Sequence, residues 1–426
     1  MYEVYWAHLI RDTSLNQVLG WLRPLILRWP VNRNKHNKKR PWLRLNVPVA
    51  LFPLWLLSWL ILLATIVVFV GIILKPAWAG WIIWLLALPL LLPVARGLWR
   101  FLGKDLALNY LGDAARYLRP DPANIANRQA IRTAGITLLE KLHNSGKYDR
   151  IVMVGHSLGS VIAYDILTHA WVKMHRSHSF PTTRPRASGD GPFQCLRRVE
   201  RAAADKLAGA KEAQGLQHEA WKEMRINTQP WLVTDLITLG SPLTYAAFLL
   251  TDGPESLHKL KINRTLPICP PWLEIVKPFG VKRKRLSKNC PRLRFSYEQE
   301  YHTTIGRKPY TFSLYHHAAL FAVTRWTNLY VPAVQWGFGG DLVSGPLGTK
   351  KCLGEWILDV ELKAQCMRFM HTWYWDKTKE KKIEYKSEEK DREPSSIYLL
   401  NQAMKLDSLM ELKKLLKEIP AYSLID

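Results

Sequence analysis

Residues Arg150 to Leu167 read RIVMVGHSLGSVIAYDIL. Ile151 to Val154 is a β-branched, apolar run too short for a helix, and it reads as a buried strand. After the turn, Val161, Ile162, Asp165 and Ile166 fall at helical spacing. The order is strand, tight turn, helix, with Ser157 between Gly155 and Gly159. That is the layout of a nucleophile elbow. The serine sits on a strained turn, small neighbours let strand and helix approach closely, and the hydroxyl stands above the end of a sheet. The amide of Leu158, just after the serine, is then a donor for an oxyanion. The bland alternative is a glycine-rich strand-to-helix connection with an idle serine.

A serine hydroxyl is a weak nucleophile at neutral pH. It needs a histidine as general base, and a carboxylate that fixes the tautomer of that histidine and stabilises its cation. On sheets that carry an elbow serine, chain order runs Ser, Asp or Glu, His. Of the 13 histidines, His156 lies inside the elbow, and His169, His175, His178, His218 and His258 fall in helical or inserted segments. His302, His316 and His317 precede the last candidate strands; His371, in FMHTWYWD, is the only one that follows them. It is the expected base, with His316 and His317 as rivals. The acid should follow a strand between Ser157 and His371. Asp341, in GFGGDLVSGPLG, lies in a glycine-rich turn and is the expected acid; the competing reading is a turn aspartate capping its own backbone. Asp359, Glu361 and, less strongly, Glu355 are rival acids.

The chain has 426 residues and a formal net charge of +25, which favours anionic partners such as a membrane surface or nucleic acid. The five cysteines (Cys195, Cys269, Cys290, Cys352, Cys366) are scattered, without zinc spacing or a disulfide framework. A reducing compartment is the easier reading. No helix-turn-helix, finger or RNP-like pattern supports nucleic acid. Two uncharged apolar runs do support a membrane: one between Arg44 and Lys75, the other from Pro76 to Ala95. A spanning helix needs about 20 apolar residues, and each run supplies them. Together, over 45–95, they make a transmembrane helical hairpin, with tryptophans placed as interfacial anchors. The stretch RWPVNRNKHNKKRPWLR precedes the hairpin and Arg96, Arg100 and Lys104 follow it, while the loop between holds only Lys75. The bias of Lys and Arg places both termini and the larger C-terminal part in the cytoplasm.

Around this hairpin the chain divides into four parts. Residues 1–44 hold an N-terminal strand or helix and the basic juxtamembrane segment, and 45–95 the hairpin. Residues 96–376 form the catalytic domain, with insertions at 173–230 and 251–315, and 377–426 a charged linker and C-terminal helix. RPDPANIANR reads as a break and helix start. WLVTDLITLGSPL reads as a second core strand ending in a turn. HHAALFAVTRWTNLYVP reads as a helix leading into a short strand, and EWILDVEL as a further strand.

Taken together, VGHSLGS, LITLGSPL, RWTNLY followed by D-x-V-S-G-P, and H-x-x-YW resemble the α/β-hydrolase-fold lipases and esterases. More narrowly, they resemble bacterial membrane-associated hydrolases of that fold. The resemblance covers about residues 105–376, and YEVYWA at the N-terminus also fits it. It implies an α/β fold: a mostly parallel sheet flanked by helices, with the membrane hairpin and a cap-like insertion added. It implies Ser157 as nucleophile, Asp341 as acid and His371 as base, no metal or organic cofactor, and a hydrophobic acyl ester or lipid as substrate. The bacterial inner membrane is the expected location. Enzymes of this kind carry a strand ending in His-Gly ahead of the elbow, whose loop gives a second oxyanion amide; no His-Gly precedes Ser157 here. The expectation is a sheet short at one edge and an incomplete oxyanion hole. A catalytically silent membrane scaffold of the same fold, or an acyltransferase, are the alternatives.

Overall fold

The computed structural model describes residues 2–4, 6, 31–32, 44–45, 59, 117, 122–177, 193–206, 208–226, 230–251, 253–275, 293–301, 310–332, 340–341, 343–349, 352–364, 371, 374 and 383–384. Backbone packing divides the chain into two units. One comprises Met1–Val4, Ile131–Pro332 and Val343–Asp426; the other comprises Tyr5–Ala130 and Ala333–Leu342. The 45–95 hairpin, Trp59 apart, and the C-terminal helix expected at Leu399 to Leu416 lie outside the described residues. Among the described residues, no helix is long and apolar enough to cross a membrane.

The longer elements, in chain order, are α1 (Pro122–Asn144), β1 (Ile151–His156), α2 (Leu158–Ser177), α3 (Gln194–Asp205), α4 (Ala210–Ile226), β2 (Val233–Leu239), α5 (Pro254–Ile262), β3 (Ser296–Tyr301), β4 (Tyr310–Tyr315), β5 (Arg325–Tyr330) and β6 (Leu358–Glu361). Four of these strands make one sheet in the order β6-β5-β2-β1, and every pair in it is parallel. Helices flank it, so the unit is of α/β type. All seven residues of β2 are buried, as expected of a parallel strand covered on both faces. Its polar residues are satisfied within the sheet. Asp235 pairs with Arg325 at 2.8 Å, and the Thr238 hydroxyl donates to Asn328 Oδ1 at 3.0 Å.

One face of the sheet packs Ile237, Leu239, Leu329, Val331, Val360, Leu362 and Tyr374 together. Elsewhere in the core, Tyr164 of α2, Phe321 and Trp326 stack with centroids 4.7 to 6.1 Å apart. The approach of α1 to α2 depends on Gly135, where a Cβ would stand 2.3 Å from the Ile166 side chain. Beside it Arg132 forks onto Asp165 at 3.0 and 3.1 Å.

Three stretches bear on the sequence expectation. The 173–230 stretch, expected to begin loop-like and continue as an Ala/Lys/Glu-rich helical stretch, supplies α3 and α4, and α4 serves as a flanking helix. Its Gln214 donates to the Trp326 carbonyl at 3.2 Å and its Gln217 to the Phe321 carbonyl at 2.6 Å. The helix expected over HHAALFAV shrinks to the 3-10 turn Leu320–Ala322. Apart from the exposed His317 the run is buried, and its backbone is satisfied by short i to i+3 bonds (Ala319 to His316, Ala322 to Ala319) together with side chains, the Trp171 indole on the His316 carbonyl and Gln217 on the Phe321 carbonyl. Most of the expected N-terminal strand or helix lies outside the described residues; Tyr2–Val4, which are described, lie outside any strand, with a side-chain bond between Tyr2 and Tyr148 at 2.5 Å. Within 251–315, β3 and β4 form an antiparallel pair apart from the main sheet.

Candidate active site

Ser157 occupies the turn between β1 and α2, with φ of 53°. A non-glycine residue in that region is strained, and such strain is held only where the surroundings enforce it. They do so here. The Ser157 amide donates to the Leu239 carbonyl of β2 at 2.9 Å. The Ser157 carbonyl accepts from the Ser160 amide at 2.9 Å and from the Ser160 hydroxyl at 2.6 Å. Ser160 in turn bonds Ser241 at 2.6 Å, in the turn that ends β2. Gly155 is sterically required, since a Cβ there would lie 2.6 Å from the Gly159 carbonyl oxygen and from Ser160 Cα. Gly159 differs: its Cβ would meet nothing within 4 Å among the described residues. The close strand–helix approach expected of both glycines therefore belongs to Gly155 alone.

The structure brings His371 to this turn. Its Nε2 lies 2.6 Å from Ser157 Oγ, and its side chain is buried, 2 % exposed. The two were chosen from sequence for different reasons, one by a local motif and one by chain order, 214 residues apart. The rival bases are occupied elsewhere. His316 Nδ1 accepts from the Ala318 amide at 3.0 Å and its Nε2 faces the Trp272 carbonyl at 3.3 Å; His317 Nε2 faces the Arg264 carbonyl at 3.2 Å. Leu158 is the first residue of α2. Its amide is among the first four of the helix, which have no intrahelical acceptor and lie at the positive end of the helix dipole.

Of the acids, Asp341 follows Gly340 (φ 75°), is fully buried, and belongs to the second unit. Asp359, at β6, is committed to a loop. Its Oδ1 accepts from Asn328 at 2.8 Å and from the Leu347 amide at 3.0 Å, and its Oδ2 from the Gly348 amide at 2.7 Å. Burial pushes the Asp359 carboxyl up, and these bonds oppose that shift. Glu361 accepts from the Tyr330 hydroxyl at 3.1 Å on the surface, and Glu355 is exposed.

Two neighbours carry no role in the sequence reading. His156 Nε2 lies 2.8 Å from the His371 carbonyl oxygen. Tyr374 packs against His156 at 5.6 Å, and its hydroxyl accepts from the Val331 amide at 3.0 Å and bonds Ser344 at 3.2 Å. The H-x-x-Y spacing after the base was the available signal for Tyr374. Among the described residues, no group of three His, Cys, Asp or Glu side chains could hold a metal ion. The described thiols Cys269 and Cys352 are buried, which pushes each up to about 12. A separate cavity of about 750 Å³ runs along the C-terminal half of α2 and is lined by Lys173, Arg264 and His317 among others. No protein-family model, curated protein or solved structure matches the chain significantly.

Proposed function

We propose that the chain is a membrane-anchored serine hydrolase of α/β-hydrolase type. It cleaves carboxylic esters of hydrophobic acyl groups or lipids through Ser157, His371 and Asp341. The observation that carries this reading is the 2.6 Å approach of His371 Nε2 to a serine hydroxyl held at φ 53°. A silent scaffold has no need to keep a base beside a strained serine. As His371 Nε2 takes the hydroxyl proton, Ser157 Oγ attacks the acyl carbon, and the carbonyl π pair moves to oxygen. The Leu158 amide is the first donor for that oxyanion. The resemblance implies Asp341 as the carboxylate that stabilises the resulting imidazolium. The imidazolium then protonates the leaving alcohol as the C–O bond breaks, giving an acyl-serine. Water, deprotonated at the same Nε2, attacks the acyl carbon, and the proton returns to Ser157 as the acid departs. An acceptor alcohol in place of water would make the same intermediate a transferase.

The membrane hairpin over 45–95 would hold this unit at the cytoplasmic face of a bacterial inner membrane, where its substrates are concentrated. A fluorophosphonate probe and a short acyl ester, applied to membranes holding the full chain, test the proposal. Wild type should label at Ser157 and turn over ester. Ser157→Ala should do neither, and His371→Ala and the double variant should be as inactive as Ser157→Ala, because residues acting as one unit lose activity non-additively. Folded wild type that neither labels nor hydrolyses any ester would overturn it.

A further inference from the structure

We infer that His156 is a positioning residue for the catalytic base: through Nε2–H it grips the backbone carbonyl of His371, while the next residue in the chain, Ser157, meets the same histidine at its ring. The inference rests on the reading of Ser157 and His371 as nucleophile and base. A carbonyl oxygen only accepts, so the 2.8 Å contact requires the proton on His156 Nε2. That nitrogen therefore cannot take the serine proton, and His156 is not a second base there. Successive side chains of a strand point to opposite faces. The left-handed backbone of Ser157 breaks this alternation, so that His156 and Ser157 reach the same residue from one turn. The two imidazoles lie 5.3 Å apart and tilted by 32°. Tyr374 also packs against His156, at 5.6 Å, and is itself pinned to Val331 and Ser344. His371 is thus held at its carbonyl by one side chain and at Nε2 by another. The value of that grip lies in geometry. Proton transfer in both directions needs Nε2 kept in register with Oγ, and a misplacement of about 1 Å costs on the order of 100-fold in rate.

Three variants of the full chain separate the donor from the ring: His156→Phe keeps the ring and removes the N–H, His156→Gln keeps an N–H near the same point, and Ser157→Ala gives the background. Initial rates on p-nitrophenyl butyrate are normalised to folded protein by the thermal unfolding midpoint and the amplitude of unfolding. His156→Phe should lower kcat on the order of 10- to 100-fold with KM unchanged, and should slow fluorophosphonate labelling to match. His156→Gln should recover most of that loss. His156→Phe with wild-type kcat overturns the inference. So do equal losses in Phe and Gln, or a loss that follows the folded fraction, since both mean that the ring acts only through packing. Wild type that neither labels nor turns over ester overturns the hydrolase reading itself and the inference with it.

Discussion

At Ser157 the backbone is strained, and the atoms that enforce the strain predict different fates for its two glycine neighbours. Alanine at 155 would drive a Cβ into the backbone of Gly159 and Ser160, which cannot move without opening the elbow. Gly155→Ala should lower stability by about 1–3 kcal/mol and abolish phosphonate labelling. Alanine at 159 meets nothing within 4 Å among the described residues and sits in the first turn of α2. Gly159→Ala should raise stability by about 0.5–1 kcal/mol through helix propensity. Urea unfolding curves of both variants check the contrast; equal losses would mean that Gly159 is packed after all. Ser157 was legible in the sequence because an elbow is a local device, written in consecutive residues. His371 was legible only through chain order, and its grip by His156 was not. The expectation for His156, inside the elbow, is packing or a local bond; that the bond goes to His371 is not in the periodicity, which does not say which way a side chain turns once the strand's alternation breaks.

Elements assign the carboxylates. Asp359 clamps the 345–348 segment onto β6, and all its described bonds go to Asn328, Leu347 and Gly348. Asp359→Asn puts an amide donor against the Gly348 amide and should cost about 1–3 kcal/mol of stability, with labelling per folded molecule unchanged. Asp341→Asn should do the reverse, lowering turnover by about two to four orders of magnitude with little change in unfolding midpoint. If Asp359→Asn removes turnover and Asp341→Asn does not, the acid is Asp359. Glu200 of α3 gives a pH dependence of its own. Its Oε1 accepts from the Phe295 and Ser296 amides at 3.2 and 3.0 Å and from the Ser296 hydroxyl at 2.5 Å, tying α3 to the chain before β3 and to its first residue. Burial pushes its carboxyl above the ordinary range, and the bonds to Ser296 and the nearby Arg294 only partly offset this. The folded state therefore binds this proton more tightly than the unfolded state. The contribution of Glu200 to stability is greatest below the ordinary carboxylate range and declines as pH rises through its raised value. Glu200→Gln keeps the accepting oxygen and removes the titration. Its stability relative to wild type should increase as pH rises from 4 to 7; a difference constant with pH would place the Glu200 carboxyl in its ordinary range. Strands β1, β2, β5 and β6 were readable as short runs rich in β-branched and aromatic or aliphatic residues bounded by turn residues, which need no partner to be recognised. The flanking role of α4 was not, since the bonds that hold it, from Gln214 to β5 and from Gln217 to the Phe321 turn, come from polar residues that read as surface.

Over the whole molecule, charge and hydropathy say more about location than about chemistry. The α/β unit needs no anchor to form its sheet, yet the chain spends about fifty residues on two uncharged apolar runs, joined by a loop that holds a single lysine. Burying such runs inside a soluble core would demand a polar face to meet water, and neither run has one. In a bilayer each is long enough to span. In the proposed topology the basic segments flanking the pair fall on one side, beside anionic headgroups, where each Lys or Arg contributes about 1 kcal/mol of attraction. In the same proposed topology the catalytic unit is on that cytoplasmic side. Two measurements on the full chain test this arrangement. Alkaline carbonate should leave the protein in the membrane pellet, whereas a chain held only by its basic surface would be released. Protease added to intact spheroplasts should spare the catalytic unit and cut it only after lysis. Release by carbonate would remove the spanning hairpin, and cleavage before lysis would reverse its orientation while leaving the hairpin in place.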